Sequence, residues 1–427
     1  MTDNHDILLL KAAKTGDIHQ VQAMLAASAK VDVSDRYGTS ALMFAANLGY
    51  TEIVRSLLNA GANINQQRET YGLTALMLAA SANQLDIVKL LISHGADINA
   101  VNEDGSTALM AAAQKGYIEI VQVLLAAGAD VDITDKDEDT ALKVAVKQEQ
   151  AEIVSLLLQK SQNVNISDAE DETLLMIAVD KGDLRTVKVL LEGGVNVNQQ
   201  NADSSTALLA AAAAGYSEIV TTLLNYGAEI NYQDQDGETA LHLAVVEGYL
   251  DIVQILIQRG ADVNRKNRLG DSPLLLAVVQ GHNRIVEKLL QAGADIGVKN
   301  LGEFPLTVAV SQGNTNLVKI LLDFGADVKA IADDGKTALI KAAIANQPEI
   351  IKMLIAKGAD VNFLDSAQAT ALMWAVSAGY IQTTQTLIAA GANVNLRNRG
   401  GYTALMLAEF NGYRSIAQIL RQAGAQE

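Results

Sequence analysis

Apolar residues recur along the chain in pairs of short helical stripes, and a glycine follows each stripe. Gly237–Asn264 shows the pattern most clearly. Its first stripe places Leu241, Ala244 and Val245 on one face of a helix, because these positions follow the three-to-four-residue helical period. A second stripe occupies residues 252–257. The pattern therefore predicts two antiparallel helices of about 8–10 residues, each too short to be stable alone in water.

The residue that precedes the first stripe returns at a nearly constant interval. The step is 33 residues, except for 34 into Thr74 and 32 into Phe304. Thirteen helix pairs stacked on one another would bury the apolar faces, so the fold class predicted is an all-α solenoid of helix-turn-helix units. The equivalent positions are Ile7, Ser40, Thr74, Thr107, Thr140, Thr173, Thr206, Thr239, Ser272, Phe304, Thr337, Thr370 and Thr403.

The repeated phrases resemble those of ankyrin repeat proteins, whose period is the same. Leu241–Ala244 and Gly260–Asn264 carry the resemblance most closely. The usual Thr-Pro is mostly Thr-Ala here, with proline only at Pro273 and Pro305, and the usual histidine occurs only at His242. The resemblance implies β-turn or hairpin tips before the first helices. It also implies that partners bind along the concave side, at the tips and the ends of the first helices.

The domain organisation predicted is one ankyrin-type solenoid over residues 1–427. Residues 1–34 are expected to form an N-terminal capping repeat, because Leu8–Leu10 can pack on the next unit while polar residues stay in water. Residues 35–397 are then the internal repeats, and residues 398–427 the C-terminal capping repeat. Capping units are expected because the end face of a solenoid has no further repeat to cover it. We expect nothing to be appended after the repeats.

Composition narrows the class of protein further. The net charge of −17 would repel phosphate backbones, which argues against nucleic acid as a partner. The chain has no cysteine, its start lacks a basic-then-apolar secretory pattern, and no apolar run approaches the ~20 residues needed to span a bilayer. We therefore expect a soluble, monomeric cytoplasmic protein that does not insert into membranes.

The middle of the chain departs from the glycine pattern. Glu138, Glu149 and Ser161–Gln162 stand where other repeats have glycine, and Asp168–Glu172 is an acidic run. A residue with a Cβ in a left-handed position costs roughly 1 kcal/mol. Residues 135–172 are thus expected to be the least stable segment. Two interpretations are open, namely drift in a tolerant array or a functional hinge.

Catalytic and cofactor-binding constellations are not recognisable in the sequence. The histidines are scattered over separate repeats without metal-ligand spacing, and no glycine-rich phosphate loop follows a strand. A structural role in the turn is expected for His242. The sequence thus predicts a protein that is not an enzyme and has no metal or cofactor. The five histidines are His5, His19, His94, His242 and His282.

Tyrosine recurs directly after the glycine between the two helices of a pair. A ladder of ligand-binding rings and a repeated packing contact between neighbouring units both explain this pattern, and the packing contact is favoured. The positions are Tyr50, Tyr117, Tyr216, Tyr249, Tyr380 and Tyr413.

Acidic residues recur at the tips from the fourth repeat to the eleventh. At this spacing they are expected to line up as one ridge, which would steer a basic partner. The alternative is a solvated edge that keeps the protein soluble. The residues are Glu103-Asp104, Asp137-Glu138-Asp139, Glu170-Asp171-Glu172, Asp203, Asp236 with Glu238, Asp271, Glu303 and Asp333-Asp334.

Two sets of large apolar side chains fall at tip and first-helix positions. Because interface energy concentrates in a few aromatic and arginine side chains, each set is a candidate binding patch. The alternative for the C-terminal set is that Trp374 and Phe410 fill gaps against the terminal cap. The C-terminal set is Lys341, Ile344, Trp374, Arg399, Tyr402 and Phe410, and the N-terminal set is Tyr37, Phe44, Leu48, Tyr71 and Leu73.

The function predicted is a non-enzymatic protein–protein interaction scaffold, whose concave face binds one or more partners through acidic tips and C-terminal aromatics. The alternative is a regulatory or inhibitory subunit that sequesters or modulates a particular enzyme or assembly factor. Both hypotheses need an exposed recognition surface, and an activity assay on the captured partner separates them.

Overall fold

The structure is a computed structural model that describes residues 2–161, 163–165, 167 and 172–426. Two compact units are present, namely Met1–Ala210 with Asn225–Ala228, and Ala211–Leu224 with Glu229–Glu427. Within the described residues each unit consists of paired α-helices joined by turns, with isolated β-bridges but no β-strand. The prediction of an all-α helix-turn-helix solenoid is confirmed.

Each repeat contributes two helices, of which the first follows the tip. The first helices are α1 (Thr2–Thr15), α3 (Ala41–Leu48), α5 (Ala75–Ser81), α7 (Ala108–Lys115), α9 (Ala141–Lys147), α11 (Leu174–Asp180), α13 (Ala207–Ala214), α15 (Ala240–Val246), α17 (Pro273–Val279), α19 (Pro305–Ser311), α21 (Ala338–Ile344), α23 (Ala371–Ser377) and α25 (Ala404–Phe410). The second helices are α2 (Ile18–Ala26), α4 (Thr51–Asn59), α6 (Leu85–Ser93), α8 (Ile118–Ala126), α10 (Ala151–Leu158), α12 (Leu184–Glu192), α14 (Ser217–Asn225), α16 (Leu250–Gln258), α18 (Asn283–Gln291), α20 (Thr315–Asp323), α22 (Pro348–Ala356), α24 (Ile381–Ala389) and α26 (Arg414–Gln422).

The periodic Thr or Ser marks the start of the first helix. The Thr74 hydroxyl accepts a hydrogen bond from the Met77 amide at 3.3 Å, and its counterparts in most repeats do the same. Such an N-cap satisfies one of the amides that a helix start leaves without a partner. The first repeat differs, because α1 begins at Thr2 and contains Ile7, so the 33-residue spacing does not mark a helix start there.

The core is built from small aliphatic side chains at the predicted positions. In the eighth repeat, Leu241, Ala244 and Val245 are buried on α15, and Val253 and Leu256 on α16. Alanines at the centre of the first helices allow neighbouring repeats to approach closely, as ridge-into-groove packing of small side chains requires. Among the described residues, no helix is both long enough and apolar enough to cross a membrane.

Asparagine or aspartate at the end of one repeat fixes the backbone of the next. The Asn99 side chain accepts a hydrogen bond from the Asp130 amide at 2.9 Å, and Asn264 accepts one from Asp295 at 2.7 Å. Each bond spans 31 residues of sequence, so it ties together neighbours that share no helix. The recurring Asp and Asn of the repeat-end phrase are therefore structural.

Three of the tyrosine rings, those of Tyr50, Tyr249 and Tyr413, pack against a glycine of the preceding repeat. A Cβ added to Gly16 would lie 2.8 Å from the Tyr50 ring, and one added to Gly379 would lie 3.0 Å from the Tyr413 ring. The close approach uses the absence of a side chain at glycine. The interpretation of these tyrosines as an inter-repeat packing contact agrees with this geometry.

Non-glycine residues do adopt left-handed backbone conformations in the middle of the chain. Glu138 and Glu149 both have φ of 58°. The turn positions predicted to carry a Cβ in strained backbone are thus found at these two residues. Gln162 and 168–171 lie outside the described residues. The low stability expected of residues 135–172 stays a prediction.

Candidate protein-interaction surface

The turns before the first helices, together with the exposed ends of those helices, form what we call the tip surface. Most of these turns are organised by an Asp or Asn five residues before the N-cap. In the eighth repeat, the Asp234 carboxylate accepts hydrogen bonds from the amides of Asp236 (3.0 Å) and Glu238 (2.8 Å). Asp365 and Asn398 hold later tips in the same way. Part of the acidity at the tips therefore serves the turn itself.

Successive tips lie side by side within each unit. In the first unit, the Lys136 amide donates to the Asp104 carbonyl at 2.8 Å. In the second unit, the Arg268 amide donates to the Asp236 carbonyl at 2.9 Å. The exposed carboxylates of Asp104, Asp137 and Asp236 thus belong to rows of neighbouring tips, as their spacing predicts.

Lysines pair with one carboxylate at the tip of the fifth repeat. The Asp139 carboxylate lies 2.9 Å from the buried Lys143 ammonium and 2.6 Å from that of Lys147. Burial alone would raise the pKa of Asp139, but the hydrogen bonds from Lys147 and Lys143 outweigh it and lower the pKa. This carboxylate is paired within its own repeat.

Another lysine neutralises the tips of the tenth and eleventh repeats. The Lys341 ammonium lies 2.5 Å from Glu303 and 3.2 Å from Asp334. Burial alone would lower the pKa of Lys341, but its hydrogen bonds to the two carboxylates raise it above the ordinary value. Lys341, predicted as a partner-binding residue, thus has internal partners.

The carboxylate of Glu238 has a different environment. One oxygen accepts a hydrogen bond from the Asn267 side-chain amide at 2.8 Å, and the other is buried without a hydrogen-bond partner among the described residues. Burial raises the pKa of Glu238. The bond from Asn267 lowers it without reversing the direction, and the charges of Asp234, Asp271 and Asp236 raise it further.

His242 has the structural role that the resemblance implies. The fully buried ring accepts a hydrogen bond from the Thr239 amide at Nδ1 (3.2 Å), so Nε2 carries the proton and donates to the Asp271 carbonyl at 3.3 Å. Burial lowers the pKa of His242. The imidazole therefore joins one tip to the next as a neutral group.

The predicted C-terminal aromatics differ in exposure. Phe410 is 86% exposed and Tyr402 is 50% exposed, and Ile344 is exposed as well. Trp374 is half-buried, and its indole nitrogen donates to the Asp365 carboxylate at 2.8 Å. Arg399 is exposed, and its amide donates to the Ala367 carbonyl at 3.0 Å. Phe410 and Tyr402 therefore offer the most apolar surface in this set, whereas Trp374 is tied to its own tip.

The N-terminal set combines aromatic rings with nearby cations. The Arg36 guanidinium lies 4.6 Å from the centroid of the exposed Tyr37 ring, and the Lys14 ammonium 5.4 Å from that of Phe44. Tyr71 is exposed on the next tip. Its carbonyl accepts a hydrogen bond from the following tip, as the carbonyl of Tyr37 does. Leu48 is exposed and Leu73 half-buried.

A third apolar area was not predicted from the sequence. Leu269 is 75% exposed and Leu301 is 92% exposed, at the same position of neighbouring tips, and Val279 is exposed at the end of α17. The Asn300 side chain donates to the Leu269 carbonyl at 3.0 Å, which places the two tips in contact. The sequence signal for this area is that Leu269 and Leu301 stand at a tip position where the preceding repeats have an acidic residue.

The tip surface presents apolar and charged side chains but no group of metal ligands: three or more His, Asp or Glu suited to hold an ion are not found together among the described residues.

The architecture defines a helical repeat protein of the protein-interaction class. Sequence comparison then shows the family, and the chain belongs to the ankyrin repeat proteins. The family model described as "Ankyrin repeats (3 copies)" matches residues 9–102, 76–168, 127–201, 175–267, 274–365 and 361–427.

Individual relatives are similar over short stretches only. The "Ankyrin repeat, SAM and basic leucine zipper domain-containing protein 1" of Carollia perspicillata is 43% identical over 68 residues, which is 16% of this chain and 14% of the relative. Its namesake from Eulemur macaco macaco is 48% identical over 59 residues, or 14% of this chain and 12% of the relative. The chain thus spans a small part of these relatives, about the length of two repeats.

Proposed function

We propose that the protein is a non-enzymatic protein–protein interaction scaffold, and that a partner binds the tip surface of its last three repeats. Ankyrin repeats are generic modules of protein–protein interaction. The observation that carries the proposal is the exposure of Phe410 at the end of α25 and of Tyr402 on the tip that precedes the same helix. A large aromatic side chain left in water gains free energy when a partner buries it.

The charges around these rings favour a partner with both apolar and polar contacts. Arg399 extends from the tip that also carries Tyr402, and Lys341 holds the carboxylates of Glu303 and Asp334 two repeats earlier. Such a mixture of aromatic, arginine and paired charge is typical of interface centres with a polar rim. The exposed acidic tips further back would steer a basic partner towards this surface.

A capture experiment tests the proposal. The full chain with Phe410→Ala and Tyr402→Ala is used as bait in a lysate of its source cell, beside the unchanged chain. Loss of about tenfold or more of the captured partner is expected, because truncation of central aromatic anchors has effects of this size. Phe324→Ala is the matched control, since Phe324 is an exposed phenylalanine at the C-cap of α20, away from the tips.

The alternative function is a regulatory or inhibitory subunit. Carboxylates that are already paired with lysines do not distinguish a scaffold from a regulatory subunit. The two functions therefore differ only in whether binding changes the activity of the partner. If the captured partner is an enzyme whose rate changes on binding the unchanged chain but not the double variant, the regulatory function is correct. Undiminished capture by the folded double variant would refute the C-terminal surface for both functions.

A further inference from the structure

The ninth and tenth repeats carry the third exposed apolar area described above. Leu269, Leu301 and Val279 are exposed there, and Leu276 and Val308 on the first helices between them are half-buried. Exposed apolar side chains gathered on neighbouring repeats indicate a candidate binding site. All five residues belong to the second compact unit.

Two carboxylates border this area, and neither has a lysine or arginine partner among the described residues. Glu238 accepts a hydrogen bond from Asn267 at 2.8 Å, and Asp271 accepts one from Asn300 at 2.7 Å. The second oxygen of Glu238 is buried without a hydrogen bond. The Nδ1 atom of His242 lies 4.0 Å from this oxygen, but the His242 side chain is fully buried. The carboxylates are thus held in place by amides rather than by cations.

The tenth and eleventh repeats show the same carboxylate position with a cation beside it. Glu303 precedes its N-cap residue as Glu238 does, and it pairs with Lys341 from the first helix of the following repeat at 2.5 Å. Two repeat positions change together between the two sites. Leu276 stands at the position of Lys341, and Leu269 stands at the position of Asp334, the second carboxylate on that lysine. The eighth and ninth repeats therefore keep the carboxylate and replace its cation with aliphatic surface.

We propose that this area, consisting of Leu269, Leu276, Val279 and Leu301 with the carboxylates of Glu238 and Asp271, binds a protein segment that carries lysine or arginine next to aliphatic or aromatic side chains. The cation of the segment takes the place that the Lys341 ammonium has beside Glu303. The inference rests on the proposed function as a protein-binding scaffold, and it adds a second surface with a partner of stated chemistry.

An acidic segment is the competing occupant. Lys266 and Arg268 extend from the same tip as Leu269, and both are exposed. In sequence, Lys266 and Arg268 lie several residues before the start of α17. Glu238 and Asp271, in contrast, directly precede the N-cap residues of α15 and α17. Because Leu276 stands where Lys341 reaches Glu303, a segment that covers Leu276 meets the Glu238 carboxylate.

Selection from a displayed library of random peptides tests the proposal on the full chain at physiological salt. Peptides with lysine or arginine beside Leu, Ile or Phe are expected to be enriched. Fluorescence anisotropy of the enriched peptides then measures affinity. Leu269→Ser and Leu301→Ser should each weaken binding by about tenfold, as loss of apolar anchors does. Glu238→Gln should weaken it to a similar degree, about tenfold.

Matched variants separate a site from general attraction to an acidic protein. Asp137→Asn removes one exposed tip carboxylate in the other unit, and Leu364→Ser removes an exposed leucine outside the area. Both should bind as the unchanged chain does. Leu276→Lys should abolish binding of the basic peptides, because its ammonium would reach Glu238 as Lys341 reaches Glu303. Circular dichroism melting confirms that each variant is folded.

Several results would overturn the proposal. These are enrichment of acidic peptides, no enrichment above background, equal weakening by Asp137→Asn and Glu238→Gln, or unchanged affinity in the two leucine variants. The test substitutions leave Phe410 and Tyr402 unchanged, so such a failure does not affect the capture experiment on the C-terminal surface. If the Phe410→Ala and Tyr402→Ala variant loses the captured partner but the peptide selection fails, the scaffold function is retained and the second surface is rejected.

Discussion

Replacing Glu149 with glycine should stabilise the fifth repeat. The residue stands between the two helices of its pair, where ten of the thirteen repeats have glycine and two have asparagine. Its φ of 58° lies in the left-handed region, and its amide donates to the Val146 carbonyl at 3.0 Å. The turn geometry is therefore the usual one, and it is occupied by a residue that disfavours it.

The expected gain follows from two opposing contributions. A residue with a Cβ in the left-handed region costs about 1–2 kcal/mol. Glycine adopts this conformation freely but loses more backbone entropy on folding, which offsets about 0.5–1 kcal/mol. The Glu149 side chain is exposed, so its removal sacrifices little packing. The net effect of Glu149→Gly is a stabilisation of about 0.5–1 kcal/mol.

Native-state hydrogen exchange measures this gain locally, because repeats can open without global unfolding. Amides of α9 and α10 should exchange about two- to fivefold more slowly in Glu149→Gly, in proportion to the free energy. Gln148→Gly is the matched control one residue earlier, where φ is −100°. There glycine brings only its entropy cost, so exchange should become faster.

Slowed exchange in both variants, or in neither, would refute the reasoning from backbone strain. A separate comparison concerns the whole irregular segment. If the described part of 135–172 is as well protected in the unchanged chain as 240–300, the expected weak point does not exist, and neither drift nor a hinge needs to be invoked.

The remaining predictions concern the charged and buried groups of the second unit. Because burial lowers the pKa of His242, the stability that its neutral ring contributes is complete above its ordinary value of 6.5 and is lost as the pH falls below it; His242→Met should remove this pH dependence from urea unfolding. Lys341→Met should destabilise its repeat by about 1–2 kcal/mol, since it removes the ion pair of Glu303 and leaves Asp334 with Lys336 alone. Lys352→Met at an exposed pair should cost less than about 0.5 kcal/mol, and both effects are measured by hydrogen exchange in α21 and α22. Because its pKa is raised, Glu238 weakens the folded state as the pH rises from its ordinary value through the raised one, so Glu238→Gln should raise the melting temperature at neutral pH.

Each of these has an outcome that contradicts it. An unchanged pH profile in His242→Met would mean that another group causes the acid loss. Equal losses in Lys341→Met and Lys352→Met would show that the bridge to Glu303 contributes no more than a surface pair. A lower melting temperature of Glu238→Gln would mean that the carboxylate stabilises its tip, against its raised pKa.

The repeat architecture could be predicted from the sequence because it is encoded locally and many times over. The N-cap at Thr74, the buried face of Leu241 and Val245, and the proline that starts α22 all follow from short-range spacing. The start of α1 at Thr2 could not be predicted, because this helix begins five residues before the periodic position at Ile7.

The candidate surfaces could be predicted only in part. The exposure of Phe410 and Tyr402 agrees with their positions, but Trp374 forms a hydrogen bond to Asp365 that its spacing did not indicate. The pairing of Lys341 was also not evident, since it depends on which positions of successive repeats face each other across 38 residues of sequence. Contacts of this kind become visible only when neighbouring repeats are placed side by side.

The array supplies its own internal comparison, and that comparison bears on how binding surfaces arise in repeat proteins. One repeat position holds a carboxylate at Glu303, where Lys341 pairs with it, and at Glu238, where Leu276 replaces the lysine. The raised pKa of Glu238 means that its charge opposes folding, while the paired Lys341 carries a charge that folding favours. A charge that opposes folding and borders exposed leucines gains most from a cation supplied from outside. Glu238→Gln should therefore stabilise the protein and weaken its binding of basic segments together, which a purely structural carboxylate would not do.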